Sequence, residues 1–337
     1  MKIKVAINGF GRIGRNAFKI AQANPQIEIV AINDLAEPAT LAYLLKHDSN
    51  YGTYAKTVSA DDEHIIVEGE SITVVAEKDP ASLPWKEMDV DVVIESTGRF
   101  TKHADLSKHL HAGAKRVVLS APIKDDHHDT YVIGVNEDTL KPEHEIVSNA
   151  SCTTNDITPV GAIIEAAFGI ERAMMTTVHS YTASQALQDA PGKDLREGRN
   201  AAENIVPTST GATIAAAKAF PALKGKFTGL SIRVPTPVVS LSDFTFLTHK
   251  HTTIEEVNEA IKKAAASERF KGILTWTEEE LVSRDFIGDA HSSTVDLNLT
   301  NVVGGNLVKV VAWYDNEWGY SNRLIEMVAL VGNLIPR

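Results

Sequence analysis

The sequence predicts a two-domain chain of mixed class, α/β in its first half and α+β in its second. Three observations carry that expectation. The length, 337 residues, exceeds that of a typical single domain. Short apolar runs alternate with helical stretches up to about residue 150, the pattern of a parallel sheet. Beyond that point long stretches alternate apolar with polar residues, as antiparallel strands with one wet side do.

Taken in order, residues 3–7 read as a buried strand. Residues 13–23 carry apolar side chains at helical spacing and close on Asn24-Pro25. Residues 28–33 read as a second strand, and strand, helix, strand at this spacing makes a right-handed parallel unit. A helix is expected over 38–46, with Pro38 in its first turn. Further strands are expected over 90–95, 116–119 and 145–147. A helix over 153–167 and a strand over 173–181 follow, then a Gly-, Arg- and Asn-rich stretch of weak periodicity. The runs 228–249, 293–300 and 306–314 read as strands of a predominantly antiparallel sheet. Helices over 254–266 and from about 319 to 330 complete the chain.

Composition narrows the function classes. The apolar fraction of 43% supports sizeable cores. A net charge of -11 disfavours a primary nucleic acid role, which needs a concentrated basic surface, while leaving room for a local cationic pocket. No apolar stretch reaches the roughly 18 residues of a membrane span. The lone cysteine excludes an intrachain disulfide and, with a start that reads as a strand rather than an export segment, leads us to expect a cytoplasmic protein.

Gly9-Phe10-Gly11-Arg12-Ile13-Gly14 follows the first strand and opens the first helix. This is the placement of a turn that brings backbone N–H groups and a helix N-terminus against a pyrophosphate. Asp34 closes the second strand, where a carboxylate can accept both ribose hydroxyls of an adenosine and repel a 2'-phosphate. Its alternative reading is a turn-capping residue. The expectation is a Rossmann-type parallel-sheet cofactor domain over 1–150 that binds NAD. Two further strand ends, with Thr97 and Ser120, fall where such sheets collect ligands, although Ser, Gly and Pro there are also ordinary turn residues.

Cys152 sits in Ser151-Cys152-Thr153-Thr154-Asn155, between a strand and a helix. A thiol at a helix N-terminus is expected to have a lowered pKa, and nearby N–H groups with the Thr153 hydroxyl could hold an oxyanion. The bland alternative is a buried small hydrophobe. Of twelve histidines, His179 is the best base candidate. His127-His128, His249, His251 and the group from His103 to His111 read as solvated residues or isolated core partners. Without a cysteine companion they suggest no structural zinc, and no metal site is expected.

Several ordered motifs together resemble the phosphorylating glyceraldehyde-3-phosphate dehydrogenase family over nearly the whole chain: residues 6–15, 148–155, 179–182, 207–212, 233–237 and 313–321. The resemblance implies that Cys152 attacks an aldehyde, that His179 serves as base, and that a thioester forms and is cleaved by inorganic phosphate. It implies that Thr182 and Arg233 hold the phosphate of glyceraldehyde 3-phosphate, and that Ser151, Thr153, Thr210 and Gly211 receive inorganic phosphate. Asn316 would orient the nicotinamide carboxamide. Arg12 and Ile13 would line the pyrophosphate and adenosine cleft, and Lys78 would join the cofactor-binding set. The resemblance also implies a catalytic domain over 151–317, a loop over 180–204 that crosses a subunit interface in a homotetramer, and a C-terminal helix over 318–337 packing back on the first domain. The nearest enzymatic alternative is an erythrose-4-phosphate dehydrogenase, and the alternative of a different class is a non-enzymatic NAD-binding protein.

Three positions depart from the family pattern. Ala183-Ser184 stand where an Asn-Asp pair is common. Ala190 replaces the leucine of a Leu-Pro pair found in NAD-preferring relatives, which opens space for NADP acceptance although Asp34 favours NAD. Asp156 stands where many relatives carry a second cysteine; its charge, one helical turn from Cys152, is expected to disfavour the thiolate.

Overall fold

The computed structural model describes residues 2–125, 130–192 and 194–336, so His127 and His128 lie outside the described residues. The chain divides into two compact units. The first comprises Met1–Tyr131, Asp138–Ala150 and Ser321–Arg337; the second comprises Val132–Glu137 and Ser151–Tyr320.

The first unit is a Rossmann-type α/β layer. It contains β1 (Ile3–Asn8), α1 (Arg12–Ala21), β2 (Ile27–Asn33), α2 (Pro38–Lys46), a two-stranded ribbon of β3 (His47–Asp48) and β4 (Gly52–Thr53), and β5 (Val58–Ala60), β6 (His64–Val67) and β7 (Glu70–Val75). Then come β8 (Val92–Glu95), α3 (His103–His111), β9 (Arg116–Leu119) and β10 (Ile146–Ser148). The sheet order is β10-β9-β8-β1-β2-β7-β6-β5. The strands from β10 to β7 are parallel, as expected. An antiparallel edge, β5 to β7, extends the sheet where no strands were expected. The central strands are buried on both faces, β8 and β9 completely, which is why they read as continuous apolar runs. Leu83, Trp85, Val90 and Val93 form one core cluster and Leu106, Val117 and Ile146 another. Gly332, near the chain end, leaves no room for a side chain against Ile3 of β1.

The histidine group from His103 to His111, read as solvated residues or isolated core partners, forms α3, with His111 exposed. Its inner face carries Leu106 and His109, both fully buried, so a polar residue type occupies a core position.

The second unit is a mainly antiparallel sheet with helices. It opens with α4 (Cys152–Phe168), followed by β11 (Ile170–Ser180), β12 (Val206–Ser209), α5 (Ala212–Ala219), β13 (Phe227–Val234), β14 (Ser240–Thr248) and α6 (Ile254–Ala265). It continues with β15 (Leu274–Thr277), β16 (Ser293–Asp296), β17 (Asn301–Val303) and β18 (Leu307–Tyr314); α7 (Trp318–Asn333) begins in this unit and continues in the first. The order is β12-β13-β11-β14-β18-β16-β15, with β17 also on β18. Two pairs, β11 with β13 and β15 with β16, are parallel. The run expected over 228–249 is two strands, separated at Pro235-Thr236-Pro237. The core packs Ile157, Val160 and Ile164 of α4 against Phe244 and Phe246 of β14 and Val257 and Ile261 of α6. The opposite face of β11 and β13 is left open, exposing Met174 and Leu230.

Candidate active site

The nucleophile, in the second unit, directly follows a sharp turn in the chain. Ala150 adopts a left-handed conformation, φ 56°, unusual for a residue with a side chain. Ser151 then caps α4, its hydroxyl accepting the Thr154 N–H at 3.0 Å. Cys152 is thereby the first helical residue. The Thr154 hydroxyl reaches the Ala212 carbonyl at 3.4 Å, which ties the start of α4 to the start of α5. Gly211 precedes α5, and a Cβ there would meet nothing within 4 Å. The Thr210 hydroxyl accepts the Ala212 N–H at 3.1 Å. Ser151, Thr210 and Gly211 therefore all sit at the beginnings of these two linked helices, where unpaired N–H groups favour anions.

His179, near the end of β11, lies 3.5 Å from the Cys152 sulfur through Nε2. Its Nδ1 is 2.7 Å from the Ser180 carbonyl. A carbonyl can only accept, so Nδ1 carries the ring proton and Nε2 turns its lone pair to the thiol. Burial, then the nearby Arg233 charge, push the imidazole down to about 3. Cys152 does not follow the expectation of a lowered pKa. Burial pushes the thiol up, although Arg233 and the Thr153 hydroxyl and N–H pull the other way. Cys152 is half-exposed as a residue, but its sulfur lies deep enough for desolvation to outweigh the helix terminus. The resting pair is a thiol beside a neutral imidazole.

Arg233 of β13 bonds the Ser180 carbonyl at 3.4 Å, and its buried Nε has no partner among the described residues. Thr182 is paired with Ser184 at 2.9 Å, so the Ser that departs from the family pattern orients a candidate phosphate ligand. The Thr153 hydroxyl meets the buried Tyr314 phenol at 2.9 Å, and that phenol also meets Thr177 at 2.8 Å. Asn316 accepts from Ser180 at 2.9 Å and from Ser240 at 3.2 Å through Oδ1, which leaves its amide N–H groups to donate elsewhere.

Asp156 is fully buried, and neither carboxylate oxygen closes a hydrogen bond among the described residues. Burial raises it to about 8, with Ser242 and Ser293 beside it pulling modestly back. The expected charge repulsion with the thiolate is therefore largely absent at neutral pH, because the carboxyl keeps its proton.

In the first unit, the candidate cofactor site is a cleft of about 530 Å³ at the ends of the central strands. Its lining includes Gly9, Gly11, Asp34, Lys78 and Thr97. Gly9 has φ +93°, and a Cβ there would lie 2.7 Å from the Thr97 nitrogen; a Cβ on Gly14 would lie 2.2 Å from the Gly9 carbonyl oxygen. A Cβ on Gly11 meets nothing within 4 Å, so the backbone there is bare towards the cleft. The two Asp34 oxygens each take one backbone N–H, from Phe10 at 2.8 Å and Ala36 at 3.1 Å, with lone pairs remaining for ribose hydroxyls. The residues fit a dinucleotide. Arg12 is engaged by Asp48 at 2.8 Å and lies over the Tyr51 ring. Ile13 stands half-buried in α1. Ser120, just past β9, donates its N–H to the Glu95 carbonyl at 2.9 Å. Among the described residues no group of three or more His, Cys, Asp or Glu is placed to hold a metal, and no helix is long and apolar enough to cross a membrane.

Comparison with known proteins decides the family. Residues 3–103 match the family model described as glyceraldehyde 3-phosphate dehydrogenase, NAD binding domain, and residues 151–316 match glyceraldehyde 3-phosphate dehydrogenase, C-terminal domain. The chain belongs to the glyceraldehyde 3-phosphate dehydrogenase family. It is 53% identical over 334 residues, 99% of both chains, to the glyceraldehyde-3-phosphate dehydrogenase of Geobacillus stearothermophilus. It is 51% identical to the protein of that name in Streptomyces coelicolor, over 99% of each chain, and 51% identical to that of Zymomonas mobilis, over 98% of each. As a member of the glyceraldehyde 3-phosphate dehydrogenase family it is an NAD-dependent oxidoreductase working through a single catalytic cysteine.

Residue-by-residue reading of the sequence missed Ser180, Ser240 and Tyr314. Ser180 holds the imidazole and the guanidinium on its carbonyl and Asn316 on its hydroxyl. A serine at a strand end carries no signal of such a role; only its place directly after the His179 candidate could have drawn attention to it.

Proposed function

We propose that this chain oxidises and phosphorylates glyceraldehyde 3-phosphate to 1,3-bisphosphoglycerate. The observation that carries the reading is the Cys152 sulfur facing the unprotonated Nε2 of His179 at 3.5 Å. His179 accepts the thiol proton as sulfur attacks the aldehyde carbon, and returns it to the carbonyl oxygen to give a hemithioacetal. It then takes the hydroxyl proton as the carbonyl reforms and the adduct becomes a thioester. NAD, when bound, supplies the acceptor for the hydride lost in that step. A phosphate oxygen attacks the thioester carbon, the C–S bond breaks, and Cys152 leaves with the acyl phosphate released.

Arg233 and Thr182 hold the substrate phosphate in this scheme. A dianion on Arg233 would offset the positive charge that depresses His179, strengthening the base when substrate arrives. Ser151, Thr153, Thr210 and Gly211 form the site for inorganic phosphate, supported by the tie between the two helix starts. Asn316 orients the nicotinamide carboxamide through its available N–H groups. Gly9, Gly11, Arg12, Ile13, Gly14, Asp34, Lys78, Thr97 and Ser120 form the dinucleotide set, with NAD preferred and NADP accepted more weakly. A homotetramer is the proposed form, supported by the open apolar sheet face at Met174 and Leu230 and by Leu187, 76% exposed, and Leu195, 89% exposed, within the 180–204 loop; a cytoplasmic location is proposed on the lone cysteine.

The test follows NADH from glyceraldehyde 3-phosphate and NAD, with and without inorganic phosphate. Sustained turnover only with phosphate, with an acyl phosphate as product, is expected. Equal turnover without phosphate and release of the free acid would overturn the reading.

A further inference from the structure

Beneath the dinucleotide cleft lies a buried group that the mechanism does not use. Glu95, the last residue of β8, is fully buried. Its Oε1 is 2.9 Å from the Thr97 N–H and 2.5 Å from the Thr97 hydroxyl. Its Oε2 is 2.5 Å from the Asn8 amide nitrogen and 3.1 Å from Nε2 of the buried His109.

The hydrogens of this network are fixed from its outer ends. The Trp85 indole can only donate, and its Nε1 lies 3.0 Å from His109 Nδ1. That nitrogen must be the bare one, so His109 is neutral and donates from Nε2 to Glu95. The Glu77 backbone N–H donates to Asn33 Oδ1 at 2.8 Å, and the Asn33 amide N–H donates to Asn8 Oδ1 at 2.6 Å. Asn8 therefore turns its own N–H to Glu95. The Thr97 oxygen accepts from the Arg99 N–H at 3.1 Å and shares a hydrogen bond with Glu95 Oε1. Three N–H donors and the Thr97 hydroxyl converge on Glu95, which has no lysine or arginine partner among the described residues. Donors of this kind stabilise a carboxylate without a counter-charge in a low-dielectric interior.

Topology says which part of the ligand lies above it. Asp34 follows β2, on one side of β1, and Glu95 ends β8, on the other. A dinucleotide with its adenosine ribose on Asp34 sends its second nucleotide over the β8 side. That half changes charge in the reaction: the nicotinamide ring is cationic when oxidised and neutral when reduced, while the pyrophosphate is the same in both.

We infer that Glu95 sets the redox-state preference of the cofactor site, a carboxylate beneath the cleft favouring oxidised over reduced dinucleotide. His109 and Asn8 act as positioning residues that hold the carboxylate, through Thr97, against the cleft floor. This rests on the reading that the cleft binds NAD.

Isothermal titration of NAD+ and of NADH into the full-length protein, without aldehyde, tests both statements separately. The wild-type protein should bind NAD+ the tighter, and Glu95→Gln should shrink the ratio of the two Kd values by at least about fivefold, the low end of usual coupling between sites. His109→Lys, which places a cation beside the carboxylate, should shrink it likewise and decides the matter where Glu95→Gln does not fold. His109→Gln keeps the charge and should weaken both cofactors together, leaving the ratio in place. An unchanged ratio in the charge-altered protein, or an equal shift in His109→Gln, overturns the inference. Failure of the wild-type protein to bind either dinucleotide overturns the NAD reading instead.

Discussion

At the scale of single residues, the proton on sulfur and the bare nitrogen on imidazole make His179 the group whose loss should be felt in rate. His179→Asn should lower kcat about 10²- to 10⁴-fold, the usual worth of a general base, with little change in cofactor affinity measured by titration. Asp156 yields a stability prediction. Its carboxyl keeps a proton to about 8 in the folded chain, whereas an unfolded aspartate releases it near about 3.9. Between those values the unfolded state binds fewer protons, so rising pH draws the equilibrium towards unfolding. The penalty is absent below the lower value and complete above the upper one. Asp156→Asn should therefore gain in Tm over wild type progressively from pH 5 to pH 8; a constant gap across that range would show that the carboxyl is ionised throughout. Asp34 is the proposed source of the coenzyme choice: Asp34→Ala should narrow the NAD over NADP preference in kcat/KM at least about tenfold, and an unchanged ratio would show that its charge does not repel the 2'-phosphate.

At the scale of elements, the start of α4 shows what the chain gives up to aim the thiol. Ala150 is fully buried with φ 56°, a conformation that costs a non-glycine residue about 1–3 kcal/mol. Ala150→Gly should leave stability unchanged or raise it by about 1 kcal/mol, while Ala150→Val, with a branched Cβ, should destabilise by more than that in denaturant titration. The same scale shows what could be read in advance. Residues 116–119 and 38–46 were legible to the residue, since an apolar run and a proline-led helix are local signals. The edge strands β5 to β7 went unread although Ile65-Ile66-Val67 and Ile72-Thr73-Val74-Val75 carry the β-branched signal of strands; only β5, three residues long, is too short to show one. Helix α3 was hidden because His109 takes a core position that periodicity assigns to apolar side chains. Cys152 and His179 were legible from their motifs. Ser180 and Tyr314 were not, because their partners are brought together only by the fold, as with Tyr314 and Thr153, 161 residues apart in sequence.

At the scale of the whole molecule, a chain of 36.5 kDa leaves large apolar side chains in water on its second unit. Leu187, Leu195 and Ile205 are each more than two-thirds exposed, a pattern that monomers seldom tolerate. Light scattering should return four times the chain mass. Leu187→Lys combined with Leu195→Lys should lower the assembly order; a tetramer surviving both charges would remove the loop over 180–204 from the interface. The far side of that sheet, where α4 and α6 pack, should be untouched by those changes, since its core is complete within one unit.

The Ser180 carbonyl is gripped from two directions, by the His179 ring proposed to handle protons and by the Arg233 guanidinium proposed to hold the substrate's far end. One oxygen atom thus serves as a shared hinge-pin. In the proposed scheme, a ligand tail that drew the arginine towards itself would leave that oxygen to a single donor, the imidazole N–H that fixes the tautomer.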